Sequence, residues 1–365
     1  MGCVTYTLRM ANRYGSANET MRNALAQVAP GTPLREGIDR IVRSKAGALL
    51  VLSDAPEVLA ICSGGFLVDA PFSPQRLSEL AKMDGAIVIS TDGSRIARAN
   101  VHLVPDPTVP TSETGTRHRT AERVARSIDV PVISASEEMG VINVYAGGTK
   151  RQLQVVSVLL DRANQALQTL ERYKARLDDA LESLTAVEIE DVVTVKDVVN
   201  VVQRGEMVAR IADEIETMII ELGVDARLLR LQLDEIYNEI DDELDLVVAD
   251  YLPPHRNVDD TLDEMARLRD DDVLNARVAL KTLHLGDVEL SDEVAPKGLR
   301  LLRRVHSLPP ELAIRIANNF GGLARLQRVT LAELMEVDGV DDGVAREVKQ
   351  TLERVTEDTI LGQYH

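Results

Sequence analysis

The spacing of the apolar residues changes near residue 152, and this change limits the folds that the chain can adopt. Before it, apolar residues form short runs rich in β-branched side chains and bounded by Gly, Pro, Asp and Ser, a pattern typical of strands. After it, they recur at three- and four-residue steps with charged residues between them, which is typical of amphipathic helices. The sequence therefore predicts a sheet-containing domain followed by all-helical structure.

The sheet-containing part alternates the two kinds of element. Strands are predicted at 46–53, 58–62, 85–91, 96–104, 130–134 and 141–145. Helices are predicted at 34–45, at 74–83 with Ser73 as N-cap, and directly after Arg119. This alternation predicts an α/β or α+β domain around one central sheet. Gly64-Gly65 and Asp92-Gly93 are predicted to form hairpin turns, with the wall of a ligand site as the alternative for Gly64-Gly65.

The length of 365 residues predicts two or three domains, at roughly 100–200 residues each. We place an extension, expected to be flexible, at 1–20, the sheet domain at 21–150, a helical middle domain at 151–296 and a third domain of short helices at 297–365. The chain has no Trp and only three Phe, so the cores must be aliphatic. With only two cysteines, a disulfide framework is not expected. No run of about 18 apolar residues occurs, so no membrane span is predicted. We therefore expect a cytoplasmic protein.

The net charge of −18 is distributed unevenly along the chain. Residues 155–296 carry 14 basic and 34 acidic side chains, whereas residues 297–330 carry 7 basic and 1 acidic. Total charge governs solubility, but local charge governs partners. The overall acidity therefore does not exclude a nucleic-acid partner for the basic stretch near the C-terminus.

A small, hydroxyl-rich segment with basic side chains precedes a predicted helix at Thr116-Arg117-His118-Arg119-Thr120. A helix N-terminus has unpaired N–H groups and a partial positive charge, both of which favour anions. Arginine adds planar, bidentate donors that match phosphate oxygens. The segment therefore predicts a phosphate-binding loop, with a solvated basic helix start as the alternative.

A second candidate motif is Asp84-Gly85-Ala86, which joins a predicted helix to an apolar strand. The two small residues would allow a ligand to approach the backbone closely, and Asp84 could bind a divalent metal or orient a hydroxyl group. A plain helix-to-strand turn is the alternative. The chain contains neither a Walker A loop nor a strand-linked G-x-G-x-x-G sequence, so a nucleotide site here would lie outside the common phosphate-loop designs.

These two motifs, in this order and spacing, resemble the DGA and RHR motifs of the diadenylate cyclase family. The surrounding sequence is also similar, with LSELAKMDGAIVIS at 77–90, STDGSRIARANVHLVPD at 90–106 and SETGTRHRTAERVA at 112–125. The acidic helical middle and the C-terminal helices extend the resemblance to family members that respond to DNA. It covers about residues 28–360 and implies a mixed-sheet cyclase domain, a helical middle domain and a helix-hairpin-helix domain.

The resemblance also implies roles for single residues. Asp84 would lie near the metal and the ribose 3′-hydroxyl, Gly85 and Ala86 would lie against the nucleotide, Leu103 would contact adenine, and Ser136 would approach the ligand. Thr116 to Thr120 would hold the phosphates.

Asp84, Arg117, His118 and Arg119 would be the catalytic residues, with Mg²⁺ or Mn²⁺ as cofactor. Two ATP molecules would give cyclic di-AMP and two pyrophosphates, at two sites that face each other in a homo-oligomer, expected to be an octamer. The resemblance implies a bacterial protein that is associated with DNA.

The C-terminal segment Val337-Asp338-Gly339-Val340-Asp341 resembles the hairpin of helix-hairpin-helix motifs, which bind DNA phosphates through backbone N–H groups. Asp341 stands where such hairpins usually have a second glycine, and its charge opposes phosphate binding. The basic stretch could supply the attraction instead; it consists of Lys297, Arg300, Arg303, Arg304, Arg315, Arg325 and Arg328. We predict DNA contacts at Arg300, Arg303, Arg304, Gly339 and Val340, with a helical packing module as the alternative.

The leading hypothesis from the sequence is a cyclase whose activity is coupled to branched or damaged double-stranded DNA. A second hypothesis is a DNA-structure-binding scaffold whose N-terminal domain senses a nucleotide without turnover. A third is a different nucleotidyltransferase, which would make another product or accept GTP equally.

Overall fold

The computed structural model describes residues 16–136, 140–237 and 240–362. Residues 1–15 of the predicted N-terminal extension lie outside this range, and residues 16–20 form the start of helix α1 (Ser16–Gln27). The described chain divides into two compact units. One unit contains the residues up to Ala166 together with Asp213–Leu233, and the other contains Leu167–Ala212 and the residues from Asp234 onward. The three domain boundaries proposed from the sequence stay predictions.

The first unit is built on a mixed sheet, which confirms the predicted fold class. Its described strands are β1 (Ala48–Val51), β2 (Cys62–Ser63), β3 (Phe66–Pro71), β4 (Ala86–Ile89), β5 (Arg95–Leu103), β6 (Val132–Ala135), β7 (Ile142–Ala146) and β8 (Thr149–Gln152). They lie in the order β2-β5-β4-β1-β6-β7-β8, and β3 also pairs with β5. β1 and β4 are parallel, whereas the other strand pairs are antiparallel.

Helices cover both faces of this sheet. After α1 they are α2 (Pro33–Arg43), α3 (Pro56–Ala60), α4 (Pro74–Leu80) and α5 (Thr116–Ile128). Alternate strand residues point to opposite faces, so Leu50 joins the core that contains Ile38 of α2, while Leu49 joins the core that contains Val124 of α5. The N-cap predicted at Ser73 is confirmed, because its hydroxyl accepts a hydrogen bond from the N–H of Arg76 at 3.2 Å.

Three sequence expectations for the sheet were wrong. The segment predicted as a strand at 58–62 is mostly helix α3, in which Pro56 occupies the first turn and Val58 is buried. The strands β3 and β8 were not expected, because both are largely exposed and lack an apolar alternation. Gly64-Gly65 is not a hairpin turn. β2 and β3 both pair antiparallel with β5, so they follow one another along the same side of β5, with the two glycines between them.

The second unit is helical, as predicted. Helices that fall wholly or partly within it are α6 (Val156–Ile189), α7 (Val195–Leu222), α8 (Arg227–Tyr237), α9 (Ile240–Tyr251), α10 (Val258–Ala266), α11 (Asp270–Val273), α12 (Ala276–Thr282), α13 (Leu299–Leu302), α14 (Pro310–Phe320), α15 (Leu323–Arg328), α16 (Leu331–Met335) and α17 (Asp342–Gly362). The last five pack around one aliphatic core that includes Leu302, Ile316 and Val348. Within the described residues, no helix is both long and apolar enough to cross a bilayer.

A buried ionic cluster lies in this second unit. Arg300 is 2% exposed, and its guanidinium pairs with the buried carboxylate of Glu188, which also accepts a hydrogen bond from the Tyr251 hydroxyl at 2.6 Å. The carboxylate of Asp250 accepts the N–H groups of Leu299 and Arg300 at 2.6 and 3.0 Å. Asp250 therefore caps the start of α13, and Arg300 is held in the interior.

Candidate functional site

Asp84 lies just before β4, at the edge of the sheet that is formed by the starts of β1 and β4 and the end of β6. Because β1 and β4 are parallel with Leu49 opposite Ala86, Gly47 lies level with Asp84 on the neighbouring chain segment. The antiparallel register of β1 with β6, in which Leu49 is opposite Ser134, places Ser136 at the same level. The side chain of Asp84 is fully exposed. Asp84, Gly47 and Ser136 thus form a row along this edge.

Arg117 brings the second motif to this edge. Its Nη2 atom lies 3.7 Å from Oδ1 of Asp84, so the structure joins the two motifs that the sequence singled out. The guanidinium lies against Gly47, where a Cβ atom would come within 2.1 Å of Nη1. Sequence reasoning missed Gly47, although a glycine directly before a buried strand is a signal for close approach by another group.

The segment 116–120 is the first turn of α5 and not a loop, which corrects the sequence prediction. Gly115 is the N-cap residue of this helix, and no side chain caps it. The Arg119 N–H already donates to the Gly115 carbonyl at 2.9 Å, whereas the first N–H groups of a helix have no intrahelical acceptor. The uncapped start of α5, next to Arg117, is therefore suited to bind an anion.

His118 contributes hydrogen-bonding capacity here rather than charge. Partial burial lowers the pKa of His118, the positive charges of Lys150 and Arg117 act in the same direction, and the Glu113 carboxylate opposes them. This shift favours the neutral imidazole. The Glu113 carboxylate is bound by Lys150 Nζ at 2.6 Å and by the Tyr145 hydroxyl at 3.2 Å.

The segment that leads into α5 is fixed by Glu122. Its carboxylate accepts hydrogen bonds from the Thr111 hydroxyl at 2.5 Å and from the Ser112 N–H at 3.0 Å, and it pairs with Arg126 at 2.8 Å. Burial alone would raise the pKa of Glu122, but these hydrogen bonds and the Arg126 charge lower it below the ordinary value. This role could not be predicted from the sequence, because a glutamate in a polar helix is usually on the surface.

Gly85 does not leave an open space for a ligand, contrary to the sequence expectation. A Cβ atom on Gly85 would lie 2.6 Å from the Cα of Asn100, so the missing side chain admits the neighbouring strand. Asn100 has a positive φ of 53° and sits where the register between β4 and β5 shifts. Gly65, on the other side of β5, would clash with the Asn100 carbonyl in the same way, at 2.7 Å.

The remaining predicted nucleotide contacts differ in accessibility. The side chains of Ala86 and Leu103 are 2% and 4% exposed and belong to the core beneath α5. The burial of Leu103 agrees with a role in core packing rather than in contact with adenine. Arg119 is exposed. Thr120 is half-buried and donates its hydroxyl to the Thr116 carbonyl at 3.0 Å.

A metal at this edge would have few protein ligands. Within the parts of the chain that the structure describes, no three His, Cys, Asp or Glu side chains are grouped as in an all-protein metal centre. Mg²⁺ in phosphate chemistry is often held by one or two carboxylates together with substrate oxygens. The exposed carboxylate of Asp84, beside an anion-binding helix start, fits a cation of this kind.

The predicted DNA contacts near the C-terminus require two corrections. Arg300 is buried in its ion pair with Glu188 and is out of reach of a DNA backbone. Val340 is 8% exposed, and its N–H donates to the Val337 carbonyl at 3.0 Å, so neither its side chain nor its N–H is free. Arg303 and Arg304 are exposed.

Gly339, the remaining predicted contact, has a positive φ of 91°, as the turn between α16 and α17 requires. Another hairpin, between α13 and α14, has the same hydrogen bond without a residue at positive φ: Val305 and Leu308 are buried, and the Leu308 N–H donates to the Val305 carbonyl at 3.1 Å. This hairpin was not predicted, because it lacks glycine. The shared spacing of two apolar residues three positions apart was the available signal.

Comparison with known proteins shows similarity over most of the chain. The family model described as "DisA bacterial checkpoint controller nucleotide-binding" matches residues 35–150, and the one described as "DisA bacterial checkpoint controller linker region" matches residues 153–290. The DNA integrity scanning protein DisA of Kineococcus radiotolerans is 49% identical over 95% of this chain and 98% of its own length. The proteins of the same name from Frankia alni and Streptomyces coelicolor are 48% and 47% identical, each over 95% of this chain and over 98% and 95% of their own lengths.

Proposed function

The chain belongs to the DisA family of bacterial checkpoint controllers, and we propose on this basis that it condenses two ATP molecules into cyclic di-AMP with release of two pyrophosphates. The observation that carries the proposal is the meeting of Asp84 and Arg117, 3.7 Å apart, at the uncapped start of α5. A carboxylate that can bind a hydroxyl group or a cation thus lies beside N–H groups that can bind phosphate. Nucleotidyl transfer needs both groups.

In each half-reaction the ribose 3′-oxygen of one ATP forms a bond to the α-phosphorus of the other, and the bond from that phosphorus to the pyrophosphate oxygen breaks. The hydroxyl proton leaves with assistance from Asp84. Arg117 and the α5 amides hold the phosphates and neutralise the charge that develops on them. Neutral His118 supplies a further hydrogen bond, and Arg119 extends the basic surface.

Mg²⁺ or Mn²⁺ would be held by Asp84 together with phosphate oxygens of the nucleotide. When bound, such a cation supplies charge neutralisation for the transferring phosphate and the leaving pyrophosphate. Asp84 would orient the 3′-hydroxyl and Arg117 would orient the α-phosphate, so that the reacting atoms are aligned.

The ring closes only when two such edges meet. One Asp84–Arg117 pair serves one ATP, and the two transfers run in opposite senses, so we propose a two-fold contact between two chains that brings their edges face to face. An octamer would contain four such contacts. A single chain would then bind ATP without forming product.

We further propose that the C-terminal hairpins bind branched double-stranded DNA in the bacterial cytoplasm and that this binding changes the cyclase rate. The supporting observation is the exposed pair Arg303 and Arg304, which lies at the start of a short hairpin between two helices. Contacts of this kind go to the DNA backbone and depend strongly on salt.

The test is incubation with ATP and either Mg²⁺ or Mn²⁺, followed by chromatographic separation of the products. We expect cyclic di-AMP from the wild-type chain and at least about a hundredfold less from Asp84→Asn. Asp129→Asn is the matched control, because Asp129 is exposed on the same domain at the far end of α5, and Asn tolerates its positive φ.

The outcomes separate the three hypotheses from the sequence. A wild-type protein that binds ATP and DNA but forms no dinucleotide with either metal would be a nucleotide-sensing scaffold. Equal turnover of GTP, or a different product, would indicate another nucleotidyltransferase. Equal rates for Asp84→Asn and Asp129→Asn would remove Asp84 from the reaction.

A further inference from the structure

Two short hairpins in the C-terminal part of the chain share a backbone hydrogen bond between buried apolar residues three positions apart, but they carry opposite charge. The first hairpin, residues 303–309, contains two arginines and no carboxylate. The second hairpin, residues 336–342, contains four carboxylates and no basic residue. Phosphate oxygens are attracted to the first and repelled by the second.

The second hairpin presents carboxylates where a phosphate would approach. Its Val340 N–H is bonded to the Val337 carbonyl, as the Leu308 N–H is bonded to the Val305 carbonyl in the first hairpin, so the backbone does not distinguish the two. The Asp338 side chain is fully exposed and would face an approaching DNA strand. This hairpin, which the sequence analysis favoured for DNA, is therefore the poorer phosphate site.

The first hairpin already binds an anionic group from its own chain. The hydroxyl of Ser307 donates to the carboxylate of Glu347 on α17, and the Ser307 N–H points at the same carboxylate at 3.4 Å. The Ser307 hydroxyl, its N–H and the neighbouring His306 lower the pKa of Glu347. A hydroxyl and backbone N–H groups directed at one carboxylate form an anion-binding turn.

We propose that the first hairpin is the surface that contacts the phosphodiester backbone of DNA, and that Glu347 occupies its anion position until a DNA phosphate displaces it. The inference rests on the proposed DNA binding and specifies the site and its internal competitor. Glu347 then weakens binding to every duplex equally, because the contact reads no base. Only a DNA that engages further contacts at the same time can overcome this competition.

The experiment compares Glu347→Gln with Glu353→Gln in the full-length protein. Both variants remove one carboxylate from α17, but Glu353 is 59% exposed and its nearest cation is Lys349 at 3.9 Å. Binding of a fluorescent branched duplex is followed by anisotropy over a range of salt concentrations. We expect Glu347→Gln to bind about fivefold more tightly, the size of one like-charge repulsion at about 4 Å in water, and Glu353→Gln to bind within about twofold of wild type.

A second variant tests the hairpin itself. Charge reversal of Arg303 and Arg304 to Glu should weaken binding and reduce the slope of log K against log salt by about two, one for each lost phosphate contact. Thermal denaturation of each variant verifies the fold. The control reversal Arg354→Glu, which lies on the exposed surface of α17 outside both hairpins and outside the basic stretch, should leave the slope unchanged.

The outcomes distinguish this inference from the function on which it rests. If the wild-type protein shows no salt-dependent binding of branched DNA, the proposed DNA function fails. If the wild-type protein binds but Glu347→Gln and Glu353→Gln bind equally, the competition by Glu347 is refuted. If reversal of Arg303 and Arg304 is without effect while Gly339→Ala abolishes binding, the second hairpin is the contact surface.

Discussion

Gly47→Ala tests whether the position of Arg117, and not merely its charge, supports the reaction. A Cβ at residue 47 would lie 2.1 Å from Nη1, 2.7 Å from Cζ and 3.0 Å from Nη2 of Arg117. Ordinary carbon–nitrogen contacts begin near about 3.4 Å, so the guanidinium has to move. The backbone of Gly47 lies outside the left-handed region, so alanine is compatible with the main chain.

The magnitude follows from the size of this displacement. The guanidinium would retreat by more than about 1 Å, and a misplacement of that size can lower a rate about a hundredfold. Its present separation of 3.7 Å from Asp84 would change as well. Stability should hardly change or rise slightly, because replacing Gly by Ala at a compatible backbone position typically adds about 0.4–1 kcal/mol.

The assay is the initial rate of cyclic di-AMP formation as a function of ATP, with thermal denaturation measured on the same samples. A double-mutant cycle with Arg117→Ala supplies the control. Once the guanidinium is gone, the added methyl group of Gly47→Ala has nothing to displace. We therefore expect Gly47→Ala to reduce the rate in the wild-type background and to have no further effect in Arg117→Ala.

Two results would refute this reasoning. A wild-type rate for Gly47→Ala would show that the contact between Arg117 and residue 47 is irrelevant to the reaction. Strictly additive effects in the cycle would show that residue 47 acts through something other than Arg117. A large drop in melting temperature would indicate a packing role for Gly47.

Three other predictions concern the buried carboxylates and their partners. Glu122→Gln should raise KM for ATP about tenfold with a smaller effect on kcat, because a charge-assisted hydrogen bond contributes about 1.5 kcal/mol to holding the segment before α5; steady-state kinetics would show an unchanged KM if this is wrong. Arg300→Met should destabilise the fold by about 3–5 kcal/mol in urea denaturation, because Glu188 stays buried without its partner, and the double variant with Glu188→Gln should recover most of that loss. Burial raises the pKa of Asp250 in the folded protein to about 6, from the ordinary value of 3.8. The protonated carboxyl therefore stabilises the fold fully below the ordinary pKa, and this stabilisation, about 3 kcal/mol, is lost as the pH rises through the folded-state pKa. In Asp250→Asn the free energy of unfolding should fall less between pH 4 and 7 than in wild type, and an equal fall would contradict the assignment.

Much of the fold could be predicted because local pattern and tertiary environment agree. β1, β4 and β6 are buried on both faces, and their apolar runs are recognisable without neighbours. The cap at Ser73 forms a local hydrogen bond with the N–H of Arg76, three residues on, and such a bond can be recognised from the sequence. The edge strands β3 and β8 could not be found in this way, because pairing with a neighbour, rather than burial of an apolar face, makes them strands.

The candidate site shows the same contrast between residues that a local pattern identifies and residues whose role depends on tertiary contacts. Asp84 and Arg117 were identified as a pair from their motifs, whereas Gly47 and Glu122 were missed. Their roles depend on what touches them, and that contact comes from residues far away in the sequence. Gly85 shows the converse, since the motif indicated a ligand while the structure shows Asn100 in the space.

The sequence by itself determined the order of sheet and helices, the two motifs of the nucleotide edge and the contrast between an acidic middle and a basic segment near the C-terminus. Only the tertiary structure decided which charges are available. Arg300 counts as a basic residue in the sequence, yet it is neutralised inside the protein by Glu188, and Glu347 is brought to Ser307 across forty positions. The physical reason is that a charge acts through its distance to other charges and to water, and folding sets both distances.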